Sequence, residues 1–378
     1  MPEGKPFRVM IIAGEASGDL HGSGVVRELK RRDPDCIIYG IGGDKMRAEG
    51  MELIFNVREI SVMGFWEVLQ HLPLLKSVER TLQAVLKVKK PDVLLLIDYP
   101  GFNLRFARAA HALGIKIVYY ISPQVWAWKS GRVKKMKELI DKMLVVFPFE
   151  EEIYKKENID VEFVGNPLLE VFTEPQEKRE YCKRYSLDEN KPILGLFPGS
   201  RTQELERIFP AMLGAARILH KQAGVQTLVG VSSILNFEYV KTFIRNDFPV
   251  QLIQNATYDV MKNSDVALVT SGTATLETAY YQTPMIVVYK TSWFSYLLGR
   301  MLVRIKNIGL VNIIAGEQIV PEMLQSKVTP QRLAQEIFKM LEDKDMCRNI
   351  SNKLSKVKER LGTKGASARV AENIFSIK

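Results

Sequence analysis

Residues 94–103 read LLLIDYPGFN: four apolar residues, an acid, an aromatic, then Pro-Gly and an amide. A continuous apolar run of this kind reads as a strand buried on both faces. Burying a lone carboxylate is expensive, so Asp98 marks a strand that ends at a wet site or against a partner. The surrounding chain repeats the theme. RVMIIAGE (8–15), CIIYGIGG (36–43), KIVYYISP (116–123), MLVVFP (143–148) and VEFVGNP (161–167) alternate with helical patterns. Such alternation predicts a parallel sheet with helices on both faces, a doubly wound α/β unit.

A polar stretch, TEPQEKREYCKRYSLDENKP (173–192), interrupts the series. Alternation then restarts with ILGLFPGS (193–200), QTLVGVS (226–232), PVQLIQ (249–254), DVALVTSG (265–272) and PMIVVYK (284–290). The expectation is two Rossmann-like domains facing across a cleft. Their expected bounds are 1–170 and 193–350, with an interdomain region at 171–192 and amphipathic helices over 351–378. Ligands of open parallel sheets bind beyond the carboxyl ends of the strands, so the loops after each run carry the function.

A chain of 378 residues is long for one core. Hydrophobic content of 46% and charged content of 25% describe a globular protein. No apolar segment reaches the roughly 20 residues that a membrane-spanning helix needs. The N-terminus lacks a signal-peptide layout, and three scattered cysteines suggest neither a disulfide framework nor a metal knuckle. The expected setting is cytoplasmic. A net charge of +10 favours anionic company: nucleotide, phosphorylated sugar, nucleic acid or an acidic membrane face.

Three loops stand out. AGEASGDLHGSG (13–24) crowds Glu15, Asp19 and His21 among glycines, but Arg27 stands where a dinucleotide fingerprint needs its third glycine. A tight turn with Asp19 as helix cap is the plainer reading. FPGSRTQE (197–204) presents Gly199, Ser200 and Arg201 at a helix start, an anion site with a cation suited to phosphate. In VTSGTATLE (269–277), Thr270, Ser271, Gly272 and Thr273 form a hydroxyl-rich strand end. Glu277 follows one turn into the next helix, where it can accept ribose hydroxyls or act as a plain first-turn acid.

These stretches, with GIGGDKM (40–46), VMGFWEVL (62–69), YYISPQVWAWK (119–129) and VGNP (164–167), resemble the lipid-A-disaccharide synthase family over nearly the whole chain. The resemblance implies a GT-B glycosyltransferase that joins UDP-2,3-diacylglucosamine to 2,3-diacylglucosamine 1-phosphate (lipid X) without a metal or other cofactor. It implies Asp98 as general base, with Glu15 and His21 as rivals, and a strand-end cap or partner of Arg105 or Arg108 as the structural alternative. Gly199, Ser200 and Arg201 are implied at the UDP diphosphate, Glu277 at ribose, and Thr270, Ser271, Gly272 and Thr273 near the phosphates. Asn312, Gln124 and Ser17 are implied at the sugars, with a simple turn role as the alternative for Asn312. The helices after 350 fold back on the first domain in many chains of this architecture.

Lipid substrates imply a membrane partner. SVMGFWEVLQHLPLLK (61–76) offers Met63, Phe65, Trp66, Leu69, Leu72 and Leu75 for acyl chains or an anionic membrane surface, against a buried helix as the alternative. The expected place is the inner face of the inner membrane. WFSYLLGRMLVRIK (293–306) is a second such stretch or a homodimer contact through the C-terminal domain. No nucleic-acid partner is expected. The competing classes are an NAD-dependent dehydrogenase, weakened by the missing fingerprint; a UDP-sugar epimerase on the same scaffold; and a basic RNA- or membrane-binding adaptor. The joint presence of Asp98, Arg201 and Glu277 argues against the adaptor.

Overall fold

The computed structural model describes residues 5–60, 72–125, 131–174, 176–245, 247–293 and 306–377. The chain divides into two compact units, residues 1–171 with 361–378 and residues 172–360.

Among the described residues, the first unit holds seven parallel strands: β1 (Arg8–Ala13), β2 (Ile37–Gly42), β3 (Glu52–Asn56), β4 (Val93–Ile97), β5 (Lys116–Tyr120), β6 (Lys142–Val145) and β7 (Val161–Phe163). Their order is β3-β2-β1-β4-β5-β6-β7. The central strands β1 and β4 run as apolar as their sequences suggest, since helices cover both faces and no residue from Val9 to Ala13 or Val93 to Ile97 is more than 1% exposed. The second unit holds β8 (Ile193–Phe197), β9 (Gln226–Val231), β10 (Val250–Gln254), β11 (Val266–Thr270), β12 (Met285–Tyr289) and β13 (Glu322–Leu324). That sheet is also parallel, in the order β10-β9-β8-β11-β12-β13. The α/β doubly wound class read from the sequence is the observed one. The edge strands β3 and β13 go beyond that reading: both are short and only partly buried, so neither carries a continuous apolar signal.

The helix Lys344–Arg360 stays with the second unit. Leu354 and Val357 are buried, Ser351 Oγ donates to Gln282 O at 2.8 Å, and an Arg360 guanidinium N–H donates to the Ile314 carbonyl at 2.6 Å. The segment that joins the first unit therefore begins at Leu361 and not at 351. Asn166 N donates to Leu361 O at 2.8 Å, and the Glu170 carboxylate accepts from Ser367 N at 2.8 Å, which docks the helix Ala366–Ser376.

The apolar stretch expected to meet lipid divides. Met63, Phe65, Trp66 and Leu69 lie outside the described residues, as does the side chain of Leu72. Leu75 corrects the expectation. It is 7% exposed and belongs to the first unit's core with Val78, Leu82 and Phe106, so its methyls are committed to packing. The buried-helix reading holds for that residue.

Candidate functional site

Both sheets change direction at one place. In the first, β1 and β4 are neighbours, with Ala13 beside Ile97, while the chain winds outward from each to opposite edges. In the second, β8 and β11 stand in the same relation, with Phe197 beside Val269. Loops that leave such a switch point diverge and open a crevice at the carboxyl ends of the strands. The loops singled out in the sequence are those that follow β1, β4, β8 and β11.

After β4 the backbone takes an uncommon path. Asp98 and Tyr99 both have φ of +47°, the left-handed region that non-glycine residues avoid at a cost of about 1–2 kcal/mol each. Surrounding bonds hold them there. Asp98 N donates to Tyr120 O at 3.0 Å, while Asp98 O accepts from Tyr119 Oη and Asn103 Nδ2, each at 2.6 Å. The Tyr99 ring lies over Gly14 so closely that a Cβ there would sit 2.2 Å from ring carbons. Strain fixed from several sides in this way clusters at functional sites, which makes the Asp98 turn a candidate.

The Asp98 carboxyl is pushed up to about 6, first by burial and then by the charge of Glu15, while a hydrogen bond from the Tyr99 N–H opposes the rise. Arg105 pairs with Glu79 at 3.1 Å, so it is not the partner of Asp98, and Arg108 is exposed. Glu15 is exposed at the start of the helix Ala16–Arg32. His21 is half-buried, its Nδ1 has no hydrogen-bond partner, and burial lowers it to about 4. Neutral His21 is therefore a weaker proton acceptor than Asp98. Asp19 caps a neighbouring helix and not its own: its carboxylate accepts from Gly43 N at 2.7 Å and Met46 N at 3.0 Å. Ser17 and Gln124 are exposed, and Gln124 follows another strained position, Ile121, with φ of +61°.

The loop after β8 differs in detail from its expectation. Gly199 has φ of +105°, and a Cβ there would lie 2.3 Å from Glu204 Oε2. That same carboxylate oxygen accepts from Ser200 N at 3.1 Å and Arg201 N at 3.4 Å. Two backbone N–H groups just before the helix Thr202–Ala223 are thus held by its own third residue, a capping arrangement. The Arg201 side chain remains 61% exposed, with its guanidinium 3.9 Å from Glu204.

After β11, Gly272 has φ of +153°, and a Cβ there would meet no atom within 4 Å, so the turn is open above its backbone. Thr273 is exposed, whereas Ser271 Oγ donates to Ile308 O at 3.1 Å. Thr270 corrects the expectation of a phosphate contact: it is 2% exposed, with its hydroxyl inside the sheet end. Glu277 is half-buried and pushed up to about 7 by burial, with the Tyr258 hydroxyl donating to it and opposing the rise. Sequence reasoning missed Tyr258, since it enters from the helix after β10 and no spacing ties it to Glu277.

Asn312 is a further correction. It is fully buried, and its amide is saturated: Nδ2 donates to Val320 O at 3.0 Å and Glu322 Oε1 at 2.8 Å, and Oδ1 accepts from Ile319 N at 2.8 Å and Val320 N at 3.0 Å. No donor or acceptor is left over for a sugar. Asn312 pins the 316–322 segment. Among the described residues, no group of three or more His, Cys, Asp or Glu is placed to hold a metal ion, and no helix is long and apolar enough to cross a membrane.

Comparison with known proteins agrees with this geometry. Among solved structures, a UDP-GlcNAc 2-epimerase from Neisseria meningitidis bound to UDP-GlcNAc superposes with a TM-score of 0.65 at 14% identity, covering 98% of this chain and all of that one. The calicheamicin glycosyltransferase CalG4 superposes with a TM-score of 0.64 at 12% identity, covering 99% and 98%. At such identities the likeness concerns the fold, which is GT-B. In sequence, a lipid-A-disaccharide synthase of Syntrophus aciditrophicus is 44% identical over 96% of both chains, and one of Geobacter metallireducens is 42% identical over 96% and 95%. The family model for lipid-A-disaccharide synthetase matches residues 9–375. A match over nearly the whole chain places this chain in the lipid-A-disaccharide synthase family.

Proposed function

We propose that the protein is an inverting glycosyltransferase that condenses UDP-2,3-diacylglucosamine with 2,3-diacylglucosamine 1-phosphate to give lipid A disaccharide 1-phosphate and UDP. The observation that carries the mechanism is Asp98: a carboxylate on a strained strand end at a switch point, with its acidity weakened by burial to about 6. In this reading the first unit takes the acceptor. The acceptor's primary hydroxyl oxygen attacks the anomeric carbon of the donor, its proton passes to Asp98, and the bond between that carbon and the diphosphate breaks. A base with a pKa near the working pH suits this task. The second unit takes UDP: Arg201 offsets the charge that grows on the leaving diphosphate, the open Gly272–Thr273 turn lies beside it, and Glu277 accepts from ribose.

Further parts of the proposal rest on the family and on the basic chain. The transfer needs no metal, so a chelator should leave turnover unchanged. The enzyme works on the inner face of the inner membrane, held on anionic lipid by cations and by Met63, Phe65, Trp66 and Leu69, and associates as a homodimer. Co-sedimentation with vesicles that contain anionic lipid, set against neutral ones, tests the first association, and light scattering tests the second.

The decisive experiment is UDP release from the donor lipid in detergent micelles, with and without lipid X, with the product checked by mass. UDP and a tetra-acylated disaccharide 1-phosphate that appear only when both lipids are present support the transferase. Release without lipid X would replace it with a hydrolase or an epimerase-like reaction.

A further inference from the structure

Asp98 is held by bonds on both sides of its α-carbon. Its N–H donates to Tyr120 O at 3.0 Å, which restrains φ. Its carbonyl accepts from Tyr119 Oη and from Asn103 Nδ2, each at 2.6 Å, which restrains ψ. A residue with φ of +47° and both dihedrals restrained presents its Cβ in one direction. The side chain itself is half-buried, so that direction decides where the carboxylate meets the crevice.

The two donors come from different elements. Tyr119 lies on β5, where it pairs with Leu96 of β4, and it is fully buried. Asn103 lies in the first turn of the helix Pro100–His111 and is fully buried too. Its Nδ2 also donates to Ile97 O at 3.2 Å, and its backbone N–H donates to Tyr99 O at 3.1 Å. A strand and a helix therefore grip one peptide group. Asn103 Oδ1 meets no hydrogen-bond donor among the described residues. A buried acceptor left unbonded lowers stability, and an apolar side chain in its place would avoid that loss. What the asparagine supplies instead is a pair of donors at the Ile97–Asp98 turn.

We propose that Tyr119 and Asn103 are positioning residues for Asp98: by fixing its carbonyl they aim its carboxylate at the acceptor hydroxyl, without touching substrate themselves. This rests on the role of proton acceptor assigned to Asp98 above. With its carbonyl released, Asp98 can relax toward an ordinary backbone conformation and swing its Cβ. A misplacement of about 1 Å at a reacting group is enough to slow a reaction by about 10²-fold.

The test is the rate of UDP release in a single turnover, with full-length enzyme in excess over the donor lipid and lipid X present in detergent micelles, together with KM for lipid X in steady state. Tyr119→Phe removes one hydroxyl and keeps the ring. It is expected to lower the single-turnover rate about tenfold and to leave KM for lipid X and UDP affinity unchanged. Asn103→Leu removes both side-chain donors at similar volume and is expected to lower the rate further, toward about 10²-fold. Placed in the Asp98→Asn protein, Tyr119→Phe is expected to cause no additional loss, because the group it aims is gone. Tyr120→Phe is the control: its hydroxyl is buried one residue away, finds no hydrogen-bond partner among the described residues, and its removal should keep the rate.

If either variant folds and keeps the full rate, the joint positioning role is overturned while the role of Asp98 stands; should Asn103→Leu fail to fold, Tyr119→Phe decides alone. If Tyr119→Phe slows Asp98→Asn by the same factor as the unsubstituted enzyme, or if Tyr120→Phe slows turnover as much, the effect is general packing and the proposal is likewise overturned. If Asp98→Asn turns over normally, the base role falls and the proposal with it.

Discussion

The strand ends at β4 and β11 are built on one plan and finished in opposite ways. Each ends a fully buried strand at a switch point and leads into a helix with an acid nearby. At β4 the acid is the first residue off the strand, on a backbone bent left-handed without a glycine, and its charge is opposed by burial and by Glu15. At β11 the bend falls on Gly272, and the acid waits until the helix has begun, where a tyrosine donates to it. A group that must take a proton gains from a setting that disfavours its charge, and a group that must hold a hydroxyl gains from a donor that fixes it. On the proposed roles, the first strand end suits reaction and the second recognition.

The sharpest way to break that contrast is Asp98→Asn. Turnover is expected to fall by about 10²–10⁴-fold, while UDP affinity, read by calorimetry, stays as it was. The substitution should also stabilise. Because the folded-state pKa is raised to about 6 from its ordinary 3.8, ionised Asp98 weighs against folding, and stability falls as pH rises from about 4 to about 6. Removing the charge should recover up to about 3 kcal/mol at pH 8, seen as a higher melting temperature than the unsubstituted protein has at that pH. Loss of both turnover and stability would return Asp98 to a structural role. In the unsubstituted enzyme, kcat should drop as pH falls through about 6.

Arg201→Ala sharpens the other half. With the Ser200 and Arg201 amides already bonded to Glu204, the exposed guanidinium is a cation at that loop suited to a diphosphate. The expected loss is about 10–100-fold in UDP affinity, with Arg201→Lys recovering only part because it cannot bond bidentately. An unchanged dissociation constant would mean that the diphosphate binds elsewhere.

Much of this was legible in the sequence because parallel sheets leave long apolar runs. Each run that the sequence marked as a strand became one, and the acids at their ends fell at the switch points because topology puts loops there. Residue type was a poorer guide where tertiary contacts decide. Asp19 looked like the cap of its own helix and serves the next one, since Gly43 lets backbone reach its carboxylate. Leu75 belongs to an amphipathic stripe that fits a membrane or a core equally well, and only the fold chooses. Tyr258 carries no local signal because its partner lies on another helix.

Asn312 gives the mildest and most discriminating test. Its four bonds hold Ile319 and Val320 against the end of the Leu310–Ala315 helix and orient Glu322, whose carboxylate also accepts from Ile308 N at 2.9 Å and Gly309 N at 3.0 Å. Ile308 O is in turn the acceptor for the Ser271 hydroxyl, so the asparagine supports the β11 turn at one remove. Asn312→Ala strands two buried N–H groups and a carbonyl, a loss of about 1–3 kcal/mol after partial relaxation, measurable as a lowered midpoint in urea. UDP affinity should fall only slightly, and KM for the donor should move more than kcat, because a loosened turn binds less well but leaves Asp98 untouched. A large drop in kcat with unaltered stability would instead put Asn312 in contact with the reacting sugar, and the saturated amide would have to open when substrate binds.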